Sequence, residues 1–382
     1  MSYFGIRLSK TPFVTTSGTP SRQSHPAAST AAATHWVKHL AAELGFDLVG
    51  VAPAGRFAHA DAFLNWLQAG RAGTMQYMHR SIEERIDPTK LLEGARSVIA
   101  VACSYQARGE SQDAVLPTPI PDQAGDHQAI GEAPQSSQDG TEKTPELRAG
   151  GGGEAMARAG LIARYALGED YHEVMKPRLH ALADAIRRQF PSEQTKCCVD
   201  TTPILEREAA ALAGLGWIGK NNCLINRQWD SWLVLGEVVT TLALDFDSVT
   251  RDYCGTCTRC VDACPTGALT AARELDARKC IAYLTLEHCE PLVGQERQQI
   301  GNWLAGCDLC QDCCPWNRRA RLSPHPEFNS RFEAGRIDLQ TVLNWTEEEY
   351  HHATRGSAVR RVKLPAMKDR AEAIIANGRA EG

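Results

Sequence analysis

From Thr34 onward the apolar residues fall into regular periods. Trp36, Leu40 and Leu44 recur at helical spacing, and the run Phe46–Ala52 after them suits a strand. A second helix over Ala60–Gln68 and a strand over Ser97–Cys103 continue an α/β alternation. The pattern then stops. Residues 107–160 hold Pro117-Thr-Pro-Ile-Pro121, many Ser, Gln and Asp residues and the run Gly150–Gly153, a composition that cannot bury a core. They are expected to form a mobile insertion within one domain. Order resumes near Leu161, with a helix from about Tyr171 to Phe190, a strand over Lys196–Val199 and a helix over Pro203–Ala213 ended by Gly214 and Gly216. Apolar and β-branched residues from Trp232 to Leu244 form the last strand region, and a boundary is expected near Ser248.

The ends read differently. Residues 1–33 are rich in Ser, Thr, Ala and Pro and are expected to be a disordered arm. Pro324–Trp345 reads as irregular and then helical, and Ser357–Asn377 as one or two basic helices. The expected organisation is an arm, an α/β (α+β) domain over 34–247 carrying the 107–160 insertion, a cysteine-rich domain over 248–323 and a short helical segment over 324–382.

Composition narrows the function classes. The 382 residues suffice for two or three domains, and a net charge of −5 leaves nucleic-acid contact to local basic patches. The longest apolar stretches, Trp232–Leu235 and Val238–Leu244, are too short for a bilayer and are separated by Glu237. The N-terminus lacks the charged-then-apolar order of a secretion signal, so a cytoplasmic protein is expected. Ten of the fourteen cysteines lie between Cys254 and Cys314. In a reducing compartment such a concentration reads as metal binding, not as a disulfide framework.

Cys254-x2-Cys257-x2-Cys260-x3-Cys264-Pro265 matches the bacterial ferredoxin run, in which three cysteines bind one cubane and the fourth reaches a second cluster. A zinc site would use two Cys-x2-Cys pairs and has no use for the fourth Cys-Pro. A second array, Cys307-x2-Cys310-x3-Cys314-Pro315, has Cys280 upstream. Crossed ligation then gives one 4Fe–4S cluster to Cys254, Cys257, Cys260 and Cys314, and the other to Cys264, Cys280, Cys307 and Cys310. Cys313 competes with Cys314, and Cys289 with Cys280. Cys103, Cys197, Cys198 and Cys223 read as packing thiols.

A cluster module needs only part of this chain, so the large domain ahead of it is expected to hold the electron acceptor. Val199-Asp-Thr-Thr-Pro-Ile-Leu-Glu-Arg207 and Ala213-Gly-Leu-Gly-Trp-Ile-Gly-Lys-Asn221 make the pattern specific. So do Arg164-Tyr-Ala-Leu-Gly-Glu-Asp-Tyr-His172, Cys280-Ile-Ala-Tyr-Leu-Thr285 and Gly306-Cys-Asp-Leu-Cys310. Together they resemble the epoxyqueuosine reductases, cobalamin-dependent iron–sulfur enzymes related to the reductive dehalogenases. The resemblance covers roughly 34–107 and 161–316, and more weakly the end. It departs from the family in the arm, the insertion, Cys313 and the short C-terminus.

The resemblance implies a cobalamin-binding domain and a ferredoxin-like two-cluster domain. It implies reduction of the epoxide of epoxyqueuosine at the tRNA wobble position, with electrons from an external donor passing through the clusters to cobalamin. It makes Asp200 the general acid, with a pKa raised by desolvation, although Asp200 also stands where an N-cap belongs. Carried over residue by residue, the cobalamin contacts are Arg85, Ala163, Arg164, Asp200, Leu224 and Leu235; a surface ion pair for Arg85 and plain core packing for Ala163 and the leucines are the alternatives. No Asp-x-His-x2-Gly motif occurs, so no axial protein histidine is expected, and Tyr171 and His172 are expected near the pocket. Lys220 and Asn221 suit an anionic group or an ordinary salt bridge. Candidate tRNA contacts are Arg318-Arg319-Ala-Arg321, Arg360-Arg361-Val-Lys363 and Trp316. A monomer is expected, again through the resemblance. Two rivals remain at this level: a reductive dehalogenase, which would carry a twin-arginine signal, and a simple ferredoxin-type carrier, which would not need the Asp200 and Gly214–Asn221 motifs.

Overall fold

The computed structural model describes residues 29–106 and 159–380. Residues 1–28 of the expected arm and 107–158 of the expected insertion lie outside them. The arm gives way earlier than expected: Ser29 accepts the Ala32 N–H at 3.2 Å and caps helix α1 (Thr30–Glu43).

In chain order the principal strands are β1 (Leu48–Pro53), β2 (Ser97–Ser104), β3 (Ala159–Ile162), β4 (Thr195–Cys198), β5 (Leu233–Thr240), β6 (Trp303–Ala305) and β7 (Arg336–Asp338). The longer helices after α1 include α2 (Ala60–Gln68), α3 (Tyr171–Gln189), α4 (Glu206–Leu212) and α5 (Leu364–Ala380). β1, β2, β5 and β4 form one sheet in that order, and every pairing in it is antiparallel. The helix–strand alternation of the sequence therefore folds as α+β.

All eight residues of β2 are buried because helices cover both faces of the sheet. Ile99, Val101 and Cys103 pack with Val37, Ala41, Leu179 and Leu182 on one side. Val98, Ala100 and Ala102 pack with Ala209 and Ala210 on the other. At about 1.5–3 kcal/mol for each large aliphatic side chain removed from water, these two layers hold the sheet rigid.

β3 joins a different sheet. It pairs in parallel with β6 and antiparallel with β7, so the segment that follows residue 158 is completed by chain from the cysteine region and from beyond it. The same neighbourhood carries the second core, where Ile162, Leu167 and Leu284 meet Leu339, Val342, Met367 and Ile374. Arg370 of α5 is fully buried and donates to the carbonyls of Leu284, His288 and Glu290 at 3.1, 2.6 and 3.2 Å. That network bolts the C-terminal helix to the chain just after Cys280. Among the described residues no helix is long and apolar enough to cross a membrane.

Candidate active site and cluster ligands

One cavity has a volume of about 930 Å³, at the upper end of the range for small-molecule sites. Four separate segments wall it, Tyr77–Arg85, the start of α3, the turn after β4 and the loop Gly356–Arg361, together with Tyr165 and Glu287. The last is held against α3, with the Asp170 N–H donating to the Gly356 carbonyl at 2.7 Å and the Ser357 hydroxyl to the Ala166 carbonyl at 2.9 Å.

At the α3 end, Asp170 caps the helix by accepting the His172 N–H at 3.0 Å, and the same oxygen stands 2.8 Å from His172 Nδ1. His172 Nε2 stands 3.2 Å from Asp200 Oδ2. Both ring nitrogens thus face carboxylates, and the imidazole is pushed up to about 9: burial lowers it, but bonds to Asp170 and Asp200 outweigh that. With both nitrogens engaged, His172 has none left to ligate a metal.

Asp200 lies just past β4 with φ of +44°, a left-handed backbone that costs a non-glycine residue about 1–2 kcal/mol. It is not a cap, because α4 begins only at Glu206. Its carboxyl is nearly half exposed, at 45 %, and lines the cavity. The expected upward pKa shift is corrected here. Burial pushes the carboxyl up, but bonds from His172 and Tyr171 and the charge of Arg361 hold it below the usual carboxylate range. The Asp200 N–H donates to Glu206 Oε1.

Arg85 is buried in the cavity wall with its Nε unpartnered. Ala163, Arg164, Leu224 and Leu235 do not line this cavity. Leu224 and Leu235 pack in the core beneath α4. Ala163 touches Gly306, whose φ is +78° and where a Cβ would come within 2.4 Å of the Ala163 Cβ. Arg164 turns to the second cysteine array, pairing with Asp308 and Asp312 while its guanidinium lies 4.3 Å from the Trp232 ring centre.

Among the described residues all the cysteines are free thiols. Cys254, Cys257, Cys260 and Cys314 lie near enough to feel one another's charge, as do Cys264, Cys280, Cys307 and Cys310. Donors point at their sulfurs: the Trp217 Nε1–H at Cys254 Sγ (3.4 Å), and backbone N–H groups at Cys264, Cys280, Cys307 and Cys314. Two thiol tetrads ringed by N–H donors fit cubane clusters. Cys313 turns its thiol to the Cys310 carbonyl at 3.6 Å, and Cys289 is exposed with its thiol on the Glu287 carbonyl.

A family model described as "4Fe-4S double cluster binding domain" matches residues 253–317. Another, described as "Epoxyqueuosine reductase QueG, DUF1730", matches residues 142–201 and so begins inside the 107–160 stretch. The epoxyqueuosine reductase of Xanthomonas campestris pv. campestris is 37% identical over 325 residues, 85% of this chain and 81% of that one. This chain belongs to the epoxyqueuosine reductase family. The epoxyqueuosine reductase of Gloeobacter violaceus is 38% identical, over 89% of this chain and 94% of that one. A crystal structure of an epoxyqueuosine reductase with an epoxyqueuosine-modified tRNA-Tyr stem loop superposes with a TM-score of 0.74 at 27% identity, covering 90% of this chain and 81% of that one. The Streptococcus thermophilus epoxyqueuosine reductase gives 0.71 at 26% identity, over 90% and 80%.

Several groups around the site of this epoxyqueuosine reductase escape a reading of the sequence. Tyr77, Arg80, Ser81 and Glu287 reach the cavity from loops with no local signal. Glu206 stood inside a quoted motif, but only the turn at Asp200 shows what it touches. Cys223, read as a packing thiol, meets Cys310. Arg318 and Arg321 lie away from the cavity, whereas Arg360 and Arg361 line it.

Proposed function

We propose that this epoxyqueuosine reductase opens the epoxide of epoxyqueuosine in tRNA at the Asp200 cavity, using cobalamin and two 4Fe–4S clusters. Both C–O bonds of the epoxide break, the alkene forms, and the oxygen leaves as water, consuming two electrons and two protons. The cysteines would hold the clusters in the crossed arrangement, Cys254, Cys257, Cys260 and Cys314 for one and Cys264, Cys280, Cys307 and Cys310 for the other. The exposed Cys289, with its thiol on the Glu287 carbonyl, supports Cys280 over Cys289.

The cavity's mixed aromatic and polar lining suits a corrinoid, and Arg85, Tyr77, Tyr165 and Tyr171 would hold it. When bound, cobalamin supplies the strongly reducing centre that the epoxide demands. The chain's own part is to handle protons. The observation that carries this reading is the Asp170–His172–Asp200 array: at neutral pH the imidazole is protonated and sits 3.2 Å from the Asp200 carboxylate. An apolar face seated against Asp200 would exclude water and raise its proton affinity, drawing the proton from His172 Nε2 to Asp200 for delivery to the departing oxygen. Arg360 and Arg361 at the mouth would meet tRNA phosphates, an external carrier would supply electrons, and the nature of the substrate places the reaction in the cytoplasm.

The test is anaerobic reconstitution with iron, sulfide and cobalamin, followed by mass spectrometry of modified tRNA. Queuosine formed by the wild type and lost in Asp200→Ala, with clusters and corrinoid retained, is the expected result. Unchanged turnover in that variant would remove Asp200 as the acid. No product despite full cofactor loading would overturn the assignment.

A further inference from the structure

Two thiols of the first cysteine tetrad lie against a group of aromatic rings. Trp217 donates its Nε1–H to Cys254 Sγ at 3.4 Å, and its ring meets those of Tyr253 and Trp316 edge-on, with centres 5.3 and 5.1 Å away. Cys254 and Cys314 pack into the same group. Tyr253 and Trp316 are only half-buried, so the rings that touch these thiols also reach the surface. The second tetrad abuts the Asp200 cavity instead. Gly306, next to Cys307, has the Tyr165 ring 3.5 Å from where its Cβ would stand, and Tyr165 lines that cavity.

Arginines surround the aromatic group. The guanidinium carbons of Arg227 and Arg251 stand 5.0 and 4.9 Å from the Tyr253 ring centre, and that of Arg321 stands 5.6 Å from the Trp229 ring centre. Arg227 and Arg318 line a second cavity, of about 400 Å³, together with Trp316. All four arginines are exposed, and among the described residues none of them is paired with a carboxylate. The acidic residues between them are already engaged: Asp252 pairs with Arg273 and accepts the Cys254 N–H at 2.7 Å, and Asp230 is buried and accepts the Trp232 N–H at 3.0 Å. In a chain of net charge −5 this face is therefore locally positive.

We propose that electrons enter through this face, and that it docks a small acidic protein carrying one electron at a time. Each encounter oxidises the carrier by one electron and reduces the cluster of Cys254, Cys257, Cys260 and Cys314 by one. The electron then passes to the second cluster, and two encounters supply the pair that the epoxide consumes. No proton or further reactant takes part in this step. Carboxylates on the carrier meet guanidinium groups with no counter-charge of their own, which steers the encounter and raises its rate. A few charges around an aromatic centre also suit the small interfaces of redox encounters, which bury less than about 1,200 Å². A nucleic acid fits this face less well, because the nucleoside to be reduced belongs at the Asp200 cavity, which none of the four arginines lines. The inference rests on the cluster assignment in the proposed function and adds to it a partner and a surface.

The probe is a plant-type ferredoxin, an acidic one-electron carrier, mixed in its reduced form with the cluster-loaded chain and followed by stopped-flow absorbance. Arg227→Glu combined with Arg318→Glu should lower the second-order rate constant of cluster reduction about 10- to 100-fold at low salt and flatten its dependence on ionic strength. Arg251→Gln, which keeps much of the packing stem, should lower it about 3-fold. Reduction by photoexcited deazaflavin, which needs no docking, should be the same in all three proteins, as should their iron content. Independently of electron transfer, oxidised ferredoxin titrated into the oxidised, cluster-loaded chain should bind the double variant about tenfold more weakly than wild type. Equal rate constants and affinities in wild type and variants overturn the proposal. So does a double variant that ferredoxin reduces normally but that loses tRNA binding, which gives the face to nucleic acid. If deazaflavin reduces the wild-type clusters and ferredoxin does not, only this inference fails; if the loaded chain shows no reducible 4Fe–4S signal, the cluster reading fails and takes this inference with it.

Discussion

His172 is the residue on which the cavity's charge balance turns. Its imidazole sits at about 9 in the folded chain against an ordinary 6.5, so it binds a proton more tightly folded than unfolded. The stabilisation this gives is complete below pH 6.5 and is lost as pH rises through 9. Allowing for solvent screening at the half-exposed Asp200, it amounts to about 1–2 kcal/mol. Denaturant midpoints of the wild type should therefore fall across that window, and those of His172→Gln should stay flat. Arg164 has a different setting: its guanidinium is held by two carboxylates of the second cysteine array. Truncating it to Ala strips a buried guanidinium from Asp308 and Asp312, at a cost of about 3–5 kcal/mol. Because Asp308 lies between Cys307 and Cys310, the variant should also lose iron on reconstitution, read by colorimetric assay.

At the scale of elements, the proposed crossed ligation would make the two cysteine runs interdependent. Cys314 stands in the second run but among the thiols of the first tetrad. Cys314→Ser should therefore weaken the cluster of Cys254, Cys257 and Cys260 and spare the other, roughly halving bound iron. Paramagnetic resonance of the reduced protein would show which signal disappears. The cluster-binding region was legible because close thiol spacing is a local code, and so were the helices: Ala60–Gln68 is found at the bounds its periodicity indicates, and Tyr171–Gln189 within one residue. Strand partnership was not legible. Nothing near Ala159–Ile162 tells that its neighbours are Trp303–Ala305 and Arg336–Asp338, because those contacts close loops of more than a hundred residues. The downward shift of Asp200 was hidden for the same reason. Tyr171, His172 and Arg361 are remote in sequence, and their effect exceeds the burial that a lone carboxyl would suggest.

Across the whole molecule, the cavity is a joint product of the two ends of the chain. Tyr77–Arg85 and Gly356–Arg361 face each other across it, with Arg361 paired to Glu287 and lying 5.7 Å from the centre of the Tyr77 ring. In the proposed function the Arg361 guanidinium would steer phosphate more than act on the epoxide. Arg361→Ala should thus raise KM for tRNA about 10-fold, equivalent to about 1.4 kcal/mol, with a smaller change in kcat and a shallower dependence on salt. Steady-state assays at two ionic strengths would separate these effects.

The pairing of β3 with β6 and β7 also bears on how the protein is made. A ribosome releases the chain from its N-terminus, so β3 emerges with one edge waiting for residues 303–305 and the other for 336–338. Until both have been synthesised this second sheet stays open, and the Gly356 loop is not yet there to cover the first turn of α3. The cavity therefore comes into being only once residues 356–361 have been added, and a large cofactor would find its seat only after them.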